Sequence, residues 1–281
     1  MIVKKPKIKL SAKNISSRPI GVFDSGIGGL TVANAIQKAM PGESLIYFGD
    51  TAHLPYGDKS PDSIKYYGIR IAQFLLDKNC KMIVIACNTA SALAYEAVKD
   101  FVNGRVPVIN VIDPVVDCIV NNKNAKSVGV IGTKGTIKSD IYPKRIKAKN
   151  KLIEVSSLAT PLLAPMIEEG FFNNRISRSI IGSYLSSRKL AKIDSLILAC
   201  THYPLIRAEV EEFYKKKIEI IDTAGVVADK VKAVLKERNI LSKNKKANHH
   251  FYVSDFTKSF EESTRYFFKN KIHLEKVDFW K

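Results

Sequence analysis

Cysteine is sparse in this chain and tryptophan sparser, four residues and one among 281. The four cysteines, Cys80, Cys87, Cys118 and Cys200, form no C-x-x-C pair, which removes the usual zinc-finger and dithiol spacings. A chain of this length buries a core without covalent staples, so the thiols are expected to be free. No apolar run approaches the ~18 residues of a membrane span. The opening stretch "MIVKKPKIKLSAKNISSRP" has neither a long apolar core nor a cleavage-like site. Residues 1–18 therefore read as a disordered basic tail and not as a signal peptide, and a cytoplasmic location is expected. Acidic residues are also scarce, 27 against 45 lysines and arginines, for a net charge of +18. The lysines are dispersed, however, gathering only in the tail, at 215–217 and in "LSKNKKANHH". No nucleic-acid motif accompanies them, so a solvated basic surface is expected and no specific nucleic-acid partner. The glycines of "DSGIGG" do not form the dinucleotide fingerprint G-x-G-x-x-G.

What is present is a rhythm. Short, nearly continuous apolar stretches alternate with amphipathic ones: "PIGVFD", "SLIYFGD", "KMIVIAC" and "VPVINVID", then "SVGVIGT", "LIEVSS", "DSLILAC" and "IEIID". Such runs predict parallel strands covered by helices on both faces. The rhythm also restarts. Gly21 and Gly129 open similar strand-turn segments, and "VIACNTASA" at 84–92 is echoed by "ILACTHYPL" at 197–205. The fold expected is α/β, two pseudo-symmetric, flavodoxin-like parallel-sheet lobes with the site in the cleft between them. One lobe comprises 19–107 and 222–281 and carries Asp24 and Cys87. The other comprises 108–221 and carries Glu168, Cys200 and His202. The last strand and helix, read in "HHFYVSDFTKSFEESTRYFF", are expected to pack back on the first lobe.

In open parallel sheets, chemistry sits beyond the carboxyl ends of the strands. Cys87 and Cys200 both lie there, so facing lobes would put one thiol on each wall. Two opposed thiols can remove a proton from one face of a carbon acid and return one to the other, which inverts a stereocentre. A free cysteine with a pKa of about 8.5 is mostly protonated near neutrality, so neighbours must tune it. Asp24, His202 and Glu168 are the candidates. Cys80 and Cys118, which do not lead into polar turns, read as small buried hydrophobes. Asp50 reads as a turn residue, and His53, His249 and His250 have no assigned role.

The motifs "GVFDSGIGGLTV", "YFGDTAHLPYGDKS", "ACNTASA", "GVIGTKGTIKS", "ATPLLAPMIEEG" and "CTHYPLI", in this order, closely resemble the glutamate racemases. These are cofactor-independent members of the aspartate/glutamate racemase superfamily. The resemblance runs from about residue 19 to the end. It implies that Cys87 and Cys200 are the two catalytic bases, Cys87 acting on D-glutamate and Cys200 on L-glutamate. It implies Asp24 as partner of Cys87, and His202 and Glu168 as partners of Cys200. Asp24, Ser25, Pro55, Tyr56, Gly57, Asn88, Thr89, Thr133, Thr136, Thr201 and His202 match positions that hold substrate. It further implies glutamate as the small-molecule partner, neither pyridoxal phosphate nor metal, a homodimer, and D-glutamate supply for peptidoglycan synthesis. The same thiol pair is also expected in an aspartate racemase, the nearest alternative. Three positions depart from the common pattern: His53 for arginine, Asp113 for glutamate and Ala199 for glycine.

Overall fold

A computed structural model describes residues 15–268 and 271–281. Its ten strands are β1 (Ile20–Asp24), β2 (Leu45–Gly49), β3 (Met82–Ile85), β4 (Val108–Asn110), β5 (Ser127–Gly132), β6 (Glu154–Ala159), β7 (Ser195–Ala199), β8 (Glu219–Ile221), β9 (His249–Val253) and β10 (Leu274–Lys276). β1, β2, β3 and β7 are buried along their whole length, which is why they are apolar throughout and not alternating.

The strands form two sheets, ordered β10-β9-β2-β1-β3-β4 and β6-β5-β7-β8, with every pairing parallel. The first four strands of each run are arranged second-first-third-fourth. The internal repeat heard in the sequence is thus a repeat of topology. In both sheets the strand order reverses between the first and third strands, which opens a crevice beyond their carboxyl ends. Asp24 closes β1 and Cys87 follows β3; Thr133 follows β5 and Cys200 follows β7.

Several details differ from expectation. Val108–Asn110 pairs with β3 in the first sheet, so the expected lobe boundary before Val108 falls one strand too early. That strand also ends sooner than "VPVINVID" suggests. The Asn110 side chain accepts the backbone N–H groups of Ile112 and Asp113, both at 2.8 Å. This starts a helix, Ile112–Asn121, which sequence reading passed over. Pro114 is tolerated there because the first turn of a helix has no N–H partners to lose. β10 was also missed: it is three residues long, with two exposed.

Residues 15–18, expected to be part of the disordered tail, are ordered. The buried Lys81 ammonium donates to Ser16 O at 2.7 Å and Ile240 O at 2.9 Å, and pairs with Glu43 at 2.6 Å. The rest of that expected tail, 1–14, lies outside the described residues. Among the described residues no helix is long and apolar enough to cross a membrane.

Candidate active site

The first thiol sits where β3 turns into the helix Asn88–Leu93. Cys87 is the N-cap of that helix, its sulfur accepting Ala90 N–H at 3.4 Å and donating to Ser25 Oγ at 3.7 Å. Behind it lies Asp24, completely buried. Its Oδ2 accepts the N–H groups of Gly26 at 3.2 Å and Gly29 at 3.0 Å, while Oδ1 is buried without a partner. A side chain at position 29 would put its Cβ 2.5 Å from that of Asp24, which accounts for glycine there. Burial pushes the Asp24 carboxyl above its ordinary range, against the pull of His202 and the backbone donors. Burial, reinforced by the Asp24 charge, pushes the Cys87 thiol up to about 12. This wall of the site holds its protons tightly.

The second thiol has different company. Cys200 Sγ lies 3.6 Å from His202 Nδ1, and His202 Nε2 lies 2.9 Å from Glu168 Oε1. The latter is an ion-pair contact and not an in-line hydrogen bond. Burial works against a charged imidazole, but Cys200 beside Nδ1 and the Glu168 carboxylate beside Nε2 outweigh it, holding His202 well above its usual value. Glu168 ends the short helix Leu163–Glu168, with its side chain a quarter exposed and turned to His202. The "SGIGG" turn of the first sheet closes over this histidine. A Cβ on Gly28 would stand 2.5 Å from the imidazole.

Both thiols line one cavity of about 160 Å³. Its lining includes Ser25, Pro55, Tyr56, Gly57, Asn88, Thr89, Thr133, Glu168, Thr201 and His202, all expected from the sequence. Pro55 follows a cis peptide bond. Two expected binding residues do not line it. Asp24 stands behind Cys87. Thr136, 1% exposed, stands behind a hydroxyl triangle, its Oγ 3.2 Å from Thr89 Oγ and 3.1 Å from Thr133 Oγ. The third side, Thr89 to Thr133 at 2.8 Å, joins the two halves of the site. These two residues support the site without facing its contents.

Sequence reading missed other participants. Leu54, Ala164 and Pro165 complete the lining together with Ala199, which was noted only as a departure from the family pattern. Tyr142, fully buried, donates to Asn88 Oδ1 at 2.7 Å and fixes that amide. Only their apolar character marked them, and that is shared with the core. Of the remaining cysteines, Cys80 is buried as expected, whereas Cys118 is only partly buried. Asp113 pairs with Arg145 at 2.9 Å outside the cavity. A larger groove of about 530 Å³ beside the helices Leu30–Ala39 and Thr223–Glu237 is lined by neither thiol nor histidine.

The chemistry available in the small cavity is narrow. Drug-sized sites run to roughly 300–1,000 Å³, so this one suits a small metabolite. It offers two thiols, an imidazolium–carboxylate pair, and hydroxyl and amide groups to hold polar ends. No lysine lines it that could form a Schiff base. Among the described residues no group of three or more His, Cys, Asp or Glu could hold a metal ion.

Known proteins are similar to this chain in sequence and fold. A family model described as Asp/Glu/Hydantoin racemase matches residues 29–231. A glutamate racemase of Geobacter metallireducens is 42% identical over 244 residues, 86% of this chain and 90% of that one. A glutamate racemase of Chlorobaculum tepidum is 41% identical over 258 residues, 92% of this chain and 94% of that one. The crystal structure of glutamate racemase from Francisella tularensis in complex with D-glutamate superposes with a TM-score of 0.89 at 38% identity, covering 94% of this chain and 99% of that one.

Proposed function

The chain belongs to the Asp/Glu/hydantoin racemase family, and from that premise we propose that it interconverts L- and D-glutamate by two-thiol proton transfer at the α carbon. The observation that carries this is the pair of thiols on one small cavity, with neighbours that treat their protons differently. The neutral Cys87 thiol is an acid in waiting. Cys200 lies beside an imidazole that is held well above its usual value.

With L-glutamate bound, the Cys200 thiolate removes the α proton. Negative charge spreads into the adjacent carboxylate, and Cys87 delivers its proton to the opposite face. The product is D-glutamate, with the thiolate now at Cys87. D-glutamate reacts by the reverse path, and free enzyme returns to its starting state by exchange with solvent. His202, held by Glu168, stabilises the Cys200 thiolate. Burial, which pushes both Asp24 and Cys87 up, keeps the Cys87 side protonated between turnovers. Hydroxyls of Thr89 and Thr133, the Asn88 amide and nearby backbone N–H groups hold the substrate carboxylates, which suits groups that must not themselves exchange protons.

On this reading the reaction uses neither pyridoxal phosphate nor metal. We further take the protein to act in the cytoplasm as a homodimer and to supply D-glutamate for peptidoglycan. The test is proton NMR of L-glutamate with purified, reduced protein in D₂O, with EDTA and without pyridoxal phosphate. Loss of the α-proton signal with accumulating D-glutamate is expected. Intact signal from folded, reduced protein would refute the reading.

A further inference from the structure

Behind the cavity lining, the Asp50 side chain gathers four partners. It follows β2 and is completely buried. Its Oδ1 accepts from Ser254 Oγ and from Trp280 Nε1, each at 2.7 Å. Its Oδ2 accepts from Tyr56 O–H at 2.7 Å and lies 3.0 Å from His53 Nδ1. Four donors thus fill the lone pairs that an isolated buried carboxylate would leave costly and empty.

Two of these donors lie far along the chain. Ser254 follows β9, and Trp280, the single tryptophan, belongs to the stretch 277–281. That stretch is tied down by Val277 N–H on Val253 O at 2.9 Å. The Phe279 ring sits 4.7 Å from Phe48 and 5.7 Å from Phe74. The indole stands edge-on to His53 at 4.6 Å and to Tyr67 at 5.2 Å. Ring contacts hold the tryptophan in place, and its N–H points at Asp50. On the other oxygen of the same carboxylate hangs Tyr56, 1% exposed and a wall of the thiol cavity.

We propose that Trp280 is a positioning residue for substrate binding: through Asp50 it fixes the Tyr56 wall of the cavity, the indole N–H being the working part. The proposal takes its substrate from the glutamate reading. Trp280→Phe keeps the ring packing and removes the donor; Tyr56→Phe removes the donor on the other oxygen. Each is expected to raise KM for D-glutamate roughly 3- to 10-fold with kcat within about twofold, as for loss of a hydrogen bond to a charged group away from the reacting atoms. The double variant should be no worse than the worse single one, because both act through one carboxylate. A role confined to the fold would instead lower Tm and leave KM alone. That result, or additive KM effects, overturns the proposal.

Alkylation supplies a readout that needs no substrate. In native protein, iodoacetamide labelling of Cys87 and Cys200, followed peptide by peptide, should be at least about twofold faster in Trp280→Phe, with Cys80 unchanged. Unchanged labelling of the two cavity thiols overturns the proposal. Should Trp280→Phe prove too unstable, Trp280→Tyr keeps an aromatic ring without the indole N–H and is read the same way. If the wild-type protein does not racemise glutamate, the functional reading fails and the labelling rates alone decide this inference.

Discussion

The two thiol walls occupy equivalent places in equivalent sheets, yet their electrostatics are opposite. Cys87 has a buried carboxyl behind it and a neutral hydroxyl beside it; Cys200 has an imidazole held by a glutamate. One wall favours the neutral thiol, and the other holds an imidazole paired with a carboxylate. Topology duplicated the position of the base, and the neighbours then made the copies different.

The largest effect that would break the comparison is removal of either sulfur. Cys87→Ser and Cys200→Ser are each expected to lower kcat/KM for glutamate by about 10³-fold or more, the upper part of the range for a lost general acid–base. Enantiomers have equal free energy, so kcat/KM must stay equal in the two directions for every variant. The walls are told apart by partial reactions instead. In D₂O, Cys87→Ser should still exchange the α proton of L-glutamate slowly without inverting it, and Cys200→Ser that of D-glutamate. The opposite pattern would reverse the assignment.

Next in size is the imidazolium. Glu168→Gln should cut kcat roughly 10- to 100-fold and shift the alkaline fall of the pH profile to lower pH, since His202 loses a partner that keeps it protonated. The folded-state pKa of His202 is raised above its unfolded value. Its contribution to stability is therefore complete below the unfolded value of about 6.5 and is lost as pH rises through the folded one. Thermal melts across that interval should fall for wild type and be flatter for His202→Asn.

Asp24 offers a smaller effect of mixed sign. Its folded pKa is also raised, so ionisation at neutral pH weighs against the fold, and stability falls as pH rises through the folded value. Asp24→Asn keeps an acceptor for Gly26 and Gly29 and removes the charge. It should raise Tm by about 2 °C or more at pH 8, hardly change it at pH 4, and still lower kcat. A lower Tm at pH 8 would mean that Asp24 is better solvated or paired than its burial implies. The smallest effect concerns the hydroxyl triangle. Thr133→Ala should raise KM several-fold and Thr136→Ala less, by about twofold, because only Thr133 faces the cavity. Equal effects would return Thr136 to the binding surface.

The apolar strands and the two Ala-Cys tips were legible because a strand buried on both faces must be apolar along its length, and because each tip ends in a residue of distinct chemistry. The 113-residue echo likewise made the pairing of Cys87 with Cys200 readable before any coordinates. The helix Ile112–Asn121 was not legible, since one asparagine side chain ended the strand within an unbroken apolar run. Thr136 looked like its neighbour Thr133 in sequence, and only the helix turn put it behind.

The sequence by itself determined the fold class, the duplication and the two thiols at equivalent strand ends, because these depend on residue type and on spacing along the chain. Tertiary structure decided the surroundings of each thiol. Burial of Asp24, the 2.9 Å contact between His202 and Glu168 and the four donors on Asp50 all join segments remote in the chain. Desolvation and charge pairing depend on distance in space, which spacing along a chain does not give.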